Sequence, residues 1–498
     1  MKHMRYLLGA DFGGGSTKVT VLDEKGRIVA TSSEEYPSLY PRPLFVEQDP
    51  EVLYQAFARN VRRLFECNAI SLEDVMAISI DGGTHIAVLM DSYGRVIRPA
   101  IYWSDGRSSA QAALLKPMKE KIASLSCNTP SSTWTLPQLM WIKDHEPDNF
   151  KRIHQIRFLK DYIRFRLTGD FVTDSIEAMG SMLVDTNTDA WSEYLCDLAG
   201  LRMEMLPAIL PPHEIVGTIQ KQACKECGFS NHTKVVVGST DTVMELLAAG
   251  AIGAGDTTIK LATAGRICVV SPHKVVSPLL VTYKHVIPGL WYPGSATKSC
   301  AASMRWFRDT LAPDPQAPDA YQKIDALAAS IPAGSDNLFF HPYLQGEITP
   351  YLDEALRASF IGVSSSHTYA HFCRSVLEGV AFSLREGLDC IRSLGMLDHE
   401  PLRIIGGGSR SALWSQIVSD VLQVRLVKVT SDDSSIGSAM HAGVVCGVFD
   451  SYHDAVSKCT VMGEQIVPNE NVTEKYEQSY AVYKSIVKAL QPIYQELN

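Results

Sequence analysis

Short apolar segments that end in a turn of small residues, with an acid or hydroxyl groups beside the turn, recur along this sequence. Residues 5–11 end at Asp11 and lead into Gly13-Gly14-Gly15, and residues 257–262 lead into Thr263-Ala264-Gly265. Helical patterns lie between such segments. Strands that alternate with helices of ordinary length predict an α/β protein and argue against a β-sandwich.

The chain is long enough for two domains, because 498 residues exceed what one hydrophobic core usually accommodates. Three glycines, Gly250, Gly253 and Gly255, follow an apolar helical pattern, and strand patterns restart after them. Glycines tolerate changes of backbone dihedral at low energy, so this cluster is the best candidate for a hinge. We therefore predict one domain over residues 1–248 and a second over residues 249–498.

Two helices are indicated by their end signals and apolar faces. Asp49-Pro50 is typical of a helix start, with Asp as the N-cap and Pro in the first turn. Near the C-terminus, one helical face carries Tyr476, Tyr480, Tyr483, Val487 and Leu490. That face predicts a helix that docks on the second domain.

Two predicted β-hairpins, with turns at Gly26 and Gly94, have similar sequence patterns. Each begins with an apolar strand that ends in an Asp, continues with a second strand and returns after a Gly-containing turn. The similarity indicates either two hairpins placed side by side in one sheet or a coincidence between two common motifs.

Composition narrows the classes of protein to which the chain belongs. Hydrophobic residues make up 46% and charged residues 20%, which excludes extended disorder. The net charge of −9 and the lack of basic blocks argue against nucleic acid or an anionic membrane as partner. A small anionic substrate stays possible, because backbone amides can bind phosphate.

The remaining expectations on environment come from hydropathy and cysteine usage. No apolar run reaches the length that a bilayer requires, so we expect no membrane span. The 11 cysteines are odd in number and scattered, and the lone pair Cys224 and Cys227 has no second pair beside it. We interpret that pair as structural and not as a zinc site, and we expect a cytoplasmic protein.

Four turns carry the residues for phosphate chemistry. In chain order they are Asp11–Lys18, Ser239–Asp241, Ala262–Gly265 and Gly406–Ser409. Glycines let backbone N–H groups approach phosphate oxygens, and an Asp at a strand end can hold a magnesium ion. Each turn alone is a weak signal, but four of them divided between two domains fit a nucleotide bound in a cleft. The Walker-A ending and the dinucleotide-binding fingerprint are both absent.

Residues 358–378 and several shorter motifs carry a family resemblance. Ala-Ser-Phe-Ile-Gly-Val, seven intervening residues and His371 to Glu378 form one long motif. Shorter motifs lie at residues 47–50, 103–107, 139–145, 160–162, 167–169, 346–350, 406–409 and 437–443. In these motifs the sequence resembles the FGGY carbohydrate kinases, and it is most similar to their xylulokinase branch. The long motif fits the family's C-terminal signature at every defined position.

The resemblance implies a fold and an activity. The expected fold is α/β, with two actin-like ATPase (ribonuclease H-like) domains around a central cleft. The expected reaction is phosphorylation of a small carbohydrate by ATP with Mg²⁺, and a pentulose such as xylulose is the first substrate. A different ketose, a polyol or an aldonate is an alternative. Two other classes remain open: an inactive sugar or nucleotide sensor, and an actin-like or chaperone-type ATPase. A homodimer is one possible assembly.

The resemblance also assigns roles to individual residues. Asp241 matches the catalytic aspartate, and Asp11 and Asp241 are the expected metal ligands. The substrate-binding residues would be Thr84, His85, Trp103, Asp241 and Thr242. The nucleotide-binding residues would be Asp11, Gly13, Gly14, Gly15, Ser16, Thr17, Lys18, Thr263, Gly265, Gly406, Gly407, Gly408 and Ser409. Asp105 and Arg107, in a matched motif, are equally consistent with a structural ion pair.

The sequence departs from the family pattern at several of these positions. Gly14-Gly15 replace hydroxyl residues, and Ala262 and Ala264 stand where Gly and Ser are common. These two changes concern the geometry of nucleotide binding. Thr84 precedes His85 where a Met is usual, and Thr242 follows Asp241 where an Asn is usual. The latter changes concern which sugar is bound, so the resemblance supports kinase chemistry more firmly than it supports xylulose.

Overall fold

Two mixed β-sheets organise the chain, each flanked by helices. The computed structural model describes residues 5–68, 70–397 and 399–497. The strands up to residue 248 are Tyr6–Phe12 (β1), Ser16–Asp23 (β2), Ile28–Glu35 (β3), Glu47–Gln48 (β4), Val75–Gly82 (β5), Ala87–Met90 (β6), Ala100–Ile101 (β7), Gln155–Phe158 (β8), Val172–Asp174 (β9), Val184–Asp185 (β10), Ala190–Trp191 (β11), Ala208–Leu210 (β12), Ile215–Thr218 (β13) and Lys234–Val236 (β14). The helices of this part are Pro50–Cys67 (α1), Ser109–Leu115 (α2), Lys119–Ser126 (α3), Thr135–His145 (α4), Pro147–Lys151 (α5), Leu159–Thr168 (α6), Ser175–Gly180 (α7), Glu193–Ala199 (α8), Lys221–Cys227 (α9) and Asp241–Ala248 (α10).

The second half of the chain contributes the second sheet and its helices. Its strands are Thr257–Leu261 (β15), Gly265–Val269 (β16), Val281–Lys284 (β17), Trp291–Thr297 (β18), Phe339–His341 (β19), Ser359–Ile361 (β20), Leu402–Ile405 (β21), Leu426–Val429 (β22) and Met462–Ile466 (β23). Its helices are Ala301–Leu311 (α11), Ala320–Ala329 (α12), Tyr369–Ser393 (α13), Ala412–Leu422 (α14), Ser434–Val445 (α15), Tyr452–Cys459 (α16) and Glu470–Glu496 (α17).

The two large sheets repeat one arrangement. The first has the order β13-β14-β5-β1-β2-β3, in which β1, β2 and β3 are antiparallel while β5 and β14 continue in parallel from β1. The second has the order β17-β18-β16-β15-β21-β22-β23, in which β15, β16 and β18 are antiparallel while β21 and β22 continue in parallel from β15. The prediction of two related α/β domains is therefore confirmed.

Helix α15 lies within the second half of the chain but packs on the first sheet. Two glycines permit its close approach. A β-carbon on Gly9 of β1 would lie 1.8 Å from the Ser435 carbonyl oxygen, and one on Gly437 would lie 1.9 Å from the Met244 carbonyl oxygen of α10. The proposed domain limits of 1–248 and 249–498 stay a prediction, and residues 1–4, 69, 398 and 498 of those ranges lie outside the described residues.

The two similar hairpin patterns do not form one sheet. Strand β5 belongs to the first large sheet, but β6, which follows it, pairs with β8 in a separate two-stranded sheet. Residues 95–97 form only an isolated bridge from Val96 to Met90. The side-by-side interpretation is therefore wrong, because the chain leaves the large sheet after Gly82.

Both predicted helix features are confirmed. The Asp49 carboxylate caps α1 by accepting a hydrogen bond from the Glu51 N–H (3.0 Å). Helix α17 buries Tyr476, Tyr480 and Tyr483 in the hydrophobic core of the second sheet. Among the described residues, no helix is both long and apolar enough to cross a membrane.

Candidate active site

Asp11, Asp81 and Lys18 lie at one level of the first sheet. Asp11 is the register partner of Asp81 on β5 and of Lys18 on β2. Burial, with the nearby carboxylates of Asp241 and Asp433, raises the pKa of Asp11 to about 7. Burial and the adjacent Asp11 raise the pKa of Asp81 well above its ordinary value. Two buried carboxyl groups this close hold a shared proton near neutral pH when no cation lies between them.

The glycine loop between β1 and β2 is held by its carbonyl groups. The Gly13 carbonyl accepts a hydrogen bond from the Tyr36 hydroxyl (2.6 Å), and the Gly14 carbonyl accepts hydrogen bonds from the side chains of Ser38 (2.7 Å) and Gln48 (3.1 Å). No described residue accepts a hydrogen bond from the N–H of Gly14 or Gly15. A β-carbon on Gly15 would meet no atom within 4 Å. The loop is thus fixed from behind and presents free amides to an open space, as phosphate binding requires.

The three residues after the glycines differ in accessibility. Ser16 is half-buried, whereas the side chain of Thr17 is fully buried, so a contact of Thr17 with a nucleotide would have to use its backbone. The Lys18 ammonium donates to the Asp433 carboxylate at 2.6 Å. Asp433 is the N-cap of α15, so this ion pair ties the first phosphate loop to a helix from the second half of the chain.

The second loop joins β15 to β16, which pair from Leu261 opposite Gly265. Thr263 is exposed at the turn, and its hydroxyl accepts a hydrogen bond from Arg305 (3.0 Å). Gly265 is buried, and a β-carbon there would lie 2.5 Å from the Thr297 methyl group. Packing therefore explains why Gly265 is a glycine, while Thr263 is placed where a ligand can reach it.

The glycine turn after β21 packs against the second loop. β-Carbons on Gly406 and Gly408 would lie 2.7 Å and 2.8 Å from atoms of Leu261, the last residue of β15. Gly407 differs from both, because it is exposed and a β-carbon there would meet nothing within 4 Å. The Ser409 hydroxyl donates to the Gly406 carbonyl at 2.7 Å. The structure thus brings the predicted second phosphate loop and the predicted adenosine turn together.

Asp241 is half-buried at the start of α10. It is the first helical residue, and Thr240 occupies the N-cap position. Its Oδ1 atom accepts hydrogen bonds from the N–H (2.6 Å) and the hydroxyl (3.2 Å) of Thr242. Arg266, from the second sheet, donates in turn to that hydroxyl at 3.3 Å. The network links Asp241 to the second sheet.

A second contact between α10 and the second sheet lies one helical turn further along the helix. The Lys260 ammonium, on β15, donates to Glu245 at 2.6 Å. Burial raises the pKa of Glu245 to about 7 in spite of Lys260, and Asp241 adds to that shift. Acidic groups from the first sheet and α10 therefore face basic groups from the second sheet, with Asp241 between them.

His85 is held in an unusual conformation. Its φ angle of 55° lies in the left-handed region, which is uncommon for a residue other than glycine. Its N–H donates to Glu177 (2.5 Å), and its carbonyl accepts from the Thr135 hydroxyl (2.6 Å). Burial and the charge of Arg266 lower the pKa of His85 to about 3, so the imidazole is neutral at physiological pH. Its Nδ1 atom is buried and has no partner among the described residues.

Thr84 and Trp103 lie around the same segment. A β-carbon on Gly180 of α7 would lie 2.5 Å from the Thr84 methyl group and 3.4 Å from the His85 ring. The Trp103 side chain is exposed beside Gly83, with its ring 5.7 Å from that of Tyr102. Thr84, His85 and Trp103 are thus brought together, as the resemblance implied.

Asp105 and Arg107 form a structural ion pair. Arg107 is buried, and its guanidinium contacts Asp105 (2.8 Å) and Glu47 (2.7 Å) and stacks 3.9 Å from the centre of the Phe45 ring. The Asp105 carboxylate also accepts from the Val46 N–H. Because these groups satisfy one another, the ion-pair interpretation is the one that the structure supports.

The sequence reasoning left several residues of this site without a role. They are Asp81, Glu177, Glu245, Lys260, Arg266 and Asp433. Asp81 carried a usable signal, since it ends an apolar strand before Gly82-Gly83 as Asp11 does before its glycines. The others reach the site only through the packing of distant segments, which no local pattern reveals.

The fold repeats one sheet arrangement, and glycine loops, carboxylates and cationic side chains lie between the two sheets. This combination is that of a phosphotransferase with the actin-like ATPase fold. The N-terminal domain of the FGGY family of carbohydrate kinases matches residues 6–248, and the family's C-terminal domain matches residues 250–446. The chain belongs to this family. It is therefore a carbohydrate kinase, an enzyme that acts on a small sugar substrate.

Named relatives align over almost the whole chain. The xylulose kinase of Bacillus subtilis (strain 168) is 29% identical over 97% of each chain. The gluconokinase of the same strain is 26% identical over 99% of this chain and 97% of its own. The crystal structure of xylulose kinase from Rhodospirillum rubrum superposes with a TM-score of 0.89 at 29% identity, covering 99% of this chain and 100% of that one.

Proposed function

We propose that this kinase transfers the γ-phosphoryl group of ATP to a hydroxyl of a small carbohydrate, with Asp241 as the general base. The observation that carries the proposal is the position of Asp241. The Asp241 carboxylate lies close enough to Asp11, at the first glycine loop, to raise the pKa of that residue. On its other side it is hydrogen-bonded to Thr242, which accepts from Arg266. Arg266 in turn lies close enough to His85 to lower its pKa. A carboxylate there lies between the phosphate side and the sugar side of the cleft.

The proposed step is an in-line displacement. The sugar oxygen forms a bond to the γ-phosphorus while the bond from that phosphorus to the bridging oxygen breaks, and ADP leaves with that electron pair. The hydroxyl proton passes to the Asp241 carboxylate. Because such transition states are largely dissociative, most of the acceleration comes from positioning and charge stabilisation. A general base typically contributes two to four orders of magnitude.

The glycine turns fit a nucleotide. We assign the phosphates to Gly13–Lys18 and Thr263–Gly265 and the adenosine to Gly406–Ser409. The free amides of Gly14 and Gly15 suit phosphate oxygens, and the open space at Gly15 and Gly407 leaves room for a ligand against the backbone. The hydroxyls missing at positions 14 and 15 are thus replaced, in this proposal, by backbone donors.

The acidic residues also fit a magnesium ion. No group of three or more His, Cys, Asp or Glu side chains in the described part of the chain is arranged to hold a metal alone. Mg²⁺ usually takes one or two carboxylates and completes its coordination with phosphates and water. Asp11 and Asp241 are our proposed ligands, and the buried, unpartnered Oδ1 atom of Asp81 lies beside Asp11. Bound there, Mg²⁺ would neutralise phosphate charge.

The two candidate substrate classes are a pentulose and an aldonate. Resemblance to the xylulokinase branch makes a pentulose such as xylulose the first candidate. An aldonate is the second, and a specific observation favours it: a guanidinium edge of Arg266 on the sugar side has no partner among the described residues. Thr84 and Thr242, where the sequence departs from the xylulokinase pattern, border the same region.

A sugar-dependent ADP-release assay tests the proposal. The panel contains pentuloses, hexuloses, polyols and aldonates, each with Mg²⁺ and ATP. Turnover that requires a carbohydrate supports the kinase. Slow ATP hydrolysis that no sugar stimulates would instead indicate an actin-like or chaperone-type ATPase. ATP binding without turnover on any sugar would indicate a sensor, and either result would refute the proposal.

A further inference from the structure

The side chain of Arg266 extends from the second sheet toward the sugar side of the cleft. Its Nη1 atom donates to the Thr242 hydroxyl at 3.3 Å, and its guanidinium carbon lies 5.7 Å from the ring centres of both Tyr283 and Tyr292. Those two rings stack on each other at 5.6 Å. The guanidinium is therefore held in a defined place by a hydrogen bond on one edge and by aromatic rings beside it.

The other nitrogen atoms of the Arg266 guanidinium lack hydrogen-bond acceptors among the described residues. Its Nε and Nη2 atoms are shielded from solvent and have no hydrogen-bond partner among the described residues. Within that part of the chain Arg266 also forms no ion pair, and Asp241 is the acid that acts on it at longer range. The Cys268 thiol lies nearby, but a thiol is a weak acceptor. Arginine cannot shed its charge, so a shielded cation without an acceptor is costly unless a ligand supplies one.

The two unsatisfied atoms point to the shape of that ligand. In the planar guanidinium, Nε–H and one N–H of Nη2 lie on the same edge and are parallel. That edge matches two oxygens of a carboxylate or a phosphate in a bidentate contact. A single sugar hydroxyl would satisfy only half of it.

The residues around Arg266 favour a carboxylate of the sugar over a phosphate as its ligand. The guanidinium lies close enough to His85 to lower the pKa of that imidazole, and it bonds Thr242, both on the proposed sugar side. Tyr283, beside it, also lies within 3.2 Å of a β-carbon placed on Gly180, next to Thr84. The predicted phosphate contact of this hairpin, Thr263, is exposed at the turn and is bonded to a different arginine, Arg305. The unsatisfied edge therefore belongs with the sugar.

We propose that the Nε and Nη2 edge of Arg266 binds the carboxylate of an acidic sugar, so that the substrate of this kinase is an aldonate. This inference rests on the proposed function and names its substrate class. The other carboxyl group on this side does not oppose it. Burial raises the pKa of Glu177 well above its ordinary value, which lessens its repulsion of an anion.

Calorimetry on the full-length protein tests the inference without turnover. The probes are D-gluconate and D-xylonate, each compared with its neutral alditol, D-glucitol or xylitol, and D-xylulose is included. We expect at least one aldonate to bind roughly 100-fold more tightly than its alditol, because a site built for a polar group rejects an analogue that lacks it. Arg266→Lys should lose about tenfold of that affinity and Arg266→Met nearly all of the preference. Arg308→Lys, at a half-buried arginine on α11, is the matched control.

The outcomes separate this inference from the kinase proposal. Each variant is first shown to unfold cooperatively near the wild-type temperature. Efficient turnover of a neutral ketose, with no aldonate preference, would overturn the inference and leave the kinase proposal standing. Aldonate binding that Arg266→Met leaves unchanged would also overturn it. If Arg266→Lys lowered kcat on a neutral sugar and left sugar affinity intact, the edge would serve the phosphoryl group and the inference would be wrong. Aldonate binding without ADP release would instead refute only the kinase proposal.

Discussion

Asp11 and Asp81 are direct neighbours on the parallel strands β1 and β5, and burial and the adjacent Asp11 raise the pKa of Asp81. Strand ends in such sheets bring polar residues to one edge, but two carboxyl groups without a cation between them store electrostatic repulsion. The Ser438 hydroxyl of α15 donates to the second of them at 2.5 Å. Under the proposed function, a cation and a polyphosphate bound beside this pair would relieve the repulsion.

Replacing Asp81 by Asn should change how stability depends on pH. The folded pKa of Asp11 is about 7 against an ordinary value of 3.8, so the folded protein keeps a proton that the unfolded chain loses between those values. Stability therefore falls as the pH rises from about 4 to about 7. Burial and Asp11 also raise the pKa of Asp81 well above its ordinary value, so Asp81 adds to this fall. Asp81→Asn removes the contribution of Asp81, and the fall should become shallower. Thermal unfolding across that range measures it, with Asp148→Asn, at an exposed residue, as control. Identical slopes would show that Asp81 does not contribute to the fall.

Gly407→Val should weaken ATP binding about tenfold or more, equivalent to about 1.4 kcal/mol, because the new side chain occupies the space assigned to adenosine. The fold should tolerate it, since a β-carbon there meets no atom within 4 Å. Gly408→Val is the contrast, because its β-carbon would lie 2.8 Å from Trp414 and should destabilise the protein. Calorimetry measures the affinity of folded Gly407→Val for ATP. An unchanged affinity would show that adenosine does not bind against Gly406–Ser409.

His85→Ala should mainly raise KM for the sugar, by roughly tenfold to 100-fold, and change kcat little. It removes a contact that is present in both the ground state and the transition state. Because the pKa of His85 is held at about 3, its protonation should not contribute to the pH profile of sugar binding between about pH 5 and 8. His145→Ala, at an exposed residue stacked on Trp141, serves as control. A loss confined to kcat would contradict this role.

Glu177 is expected to position His85. Its carboxyl group accepts the His85 N–H and so supports the left-handed backbone at that residue. Glu177→Ala should raise KM for the sugar as His85→Ala does, whereas Glu177→Gln, which keeps an oxygen acceptor for the His85 N–H, should restore it. Steady-state kinetics on both variants tests this. Failure of Gln to rescue KM would point to a general packing role instead.

Patterns local in sequence predicted much of the fold. The Asp49 cap, the buried tyrosines of α17 and the restart of strands at Thr257 each depend on neighbours within a few turns or one strand. The sequence left open whether β6 joins the first sheet, because hairpin patterns do not encode which sheet receives them. The packing of α15 on the first sheet was not foreseen, since it depends on Gly9 and Gly437 meeting backbone from remote segments.

The residues of the candidate site also divide into those that local motifs identify and those that only the folded chain brings together. Motif matches grouped Thr84, His85 and Trp103, and the structure places all three around one short segment, while their role in sugar binding stays a prediction. Two contacts join residues that are not neighbours in sequence: Lys18 donates to Asp433, and Arg266 donates to Thr242. No sequence spacing predicts either contact. Charges that are paired across a cleft become visible only after the chain has folded.

The central claim is that Asp241 takes the proton from the sugar hydroxyl. Its most direct test is the steady-state turnover of Asp241→Asn with the best substrate of the panel, beside Asp148→Asn as control. We expect kcat to fall by roughly two to four orders of magnitude, with the unfolding temperature nearly unchanged. Near-normal turnover of folded Asp241→Asn would contradict the mechanism.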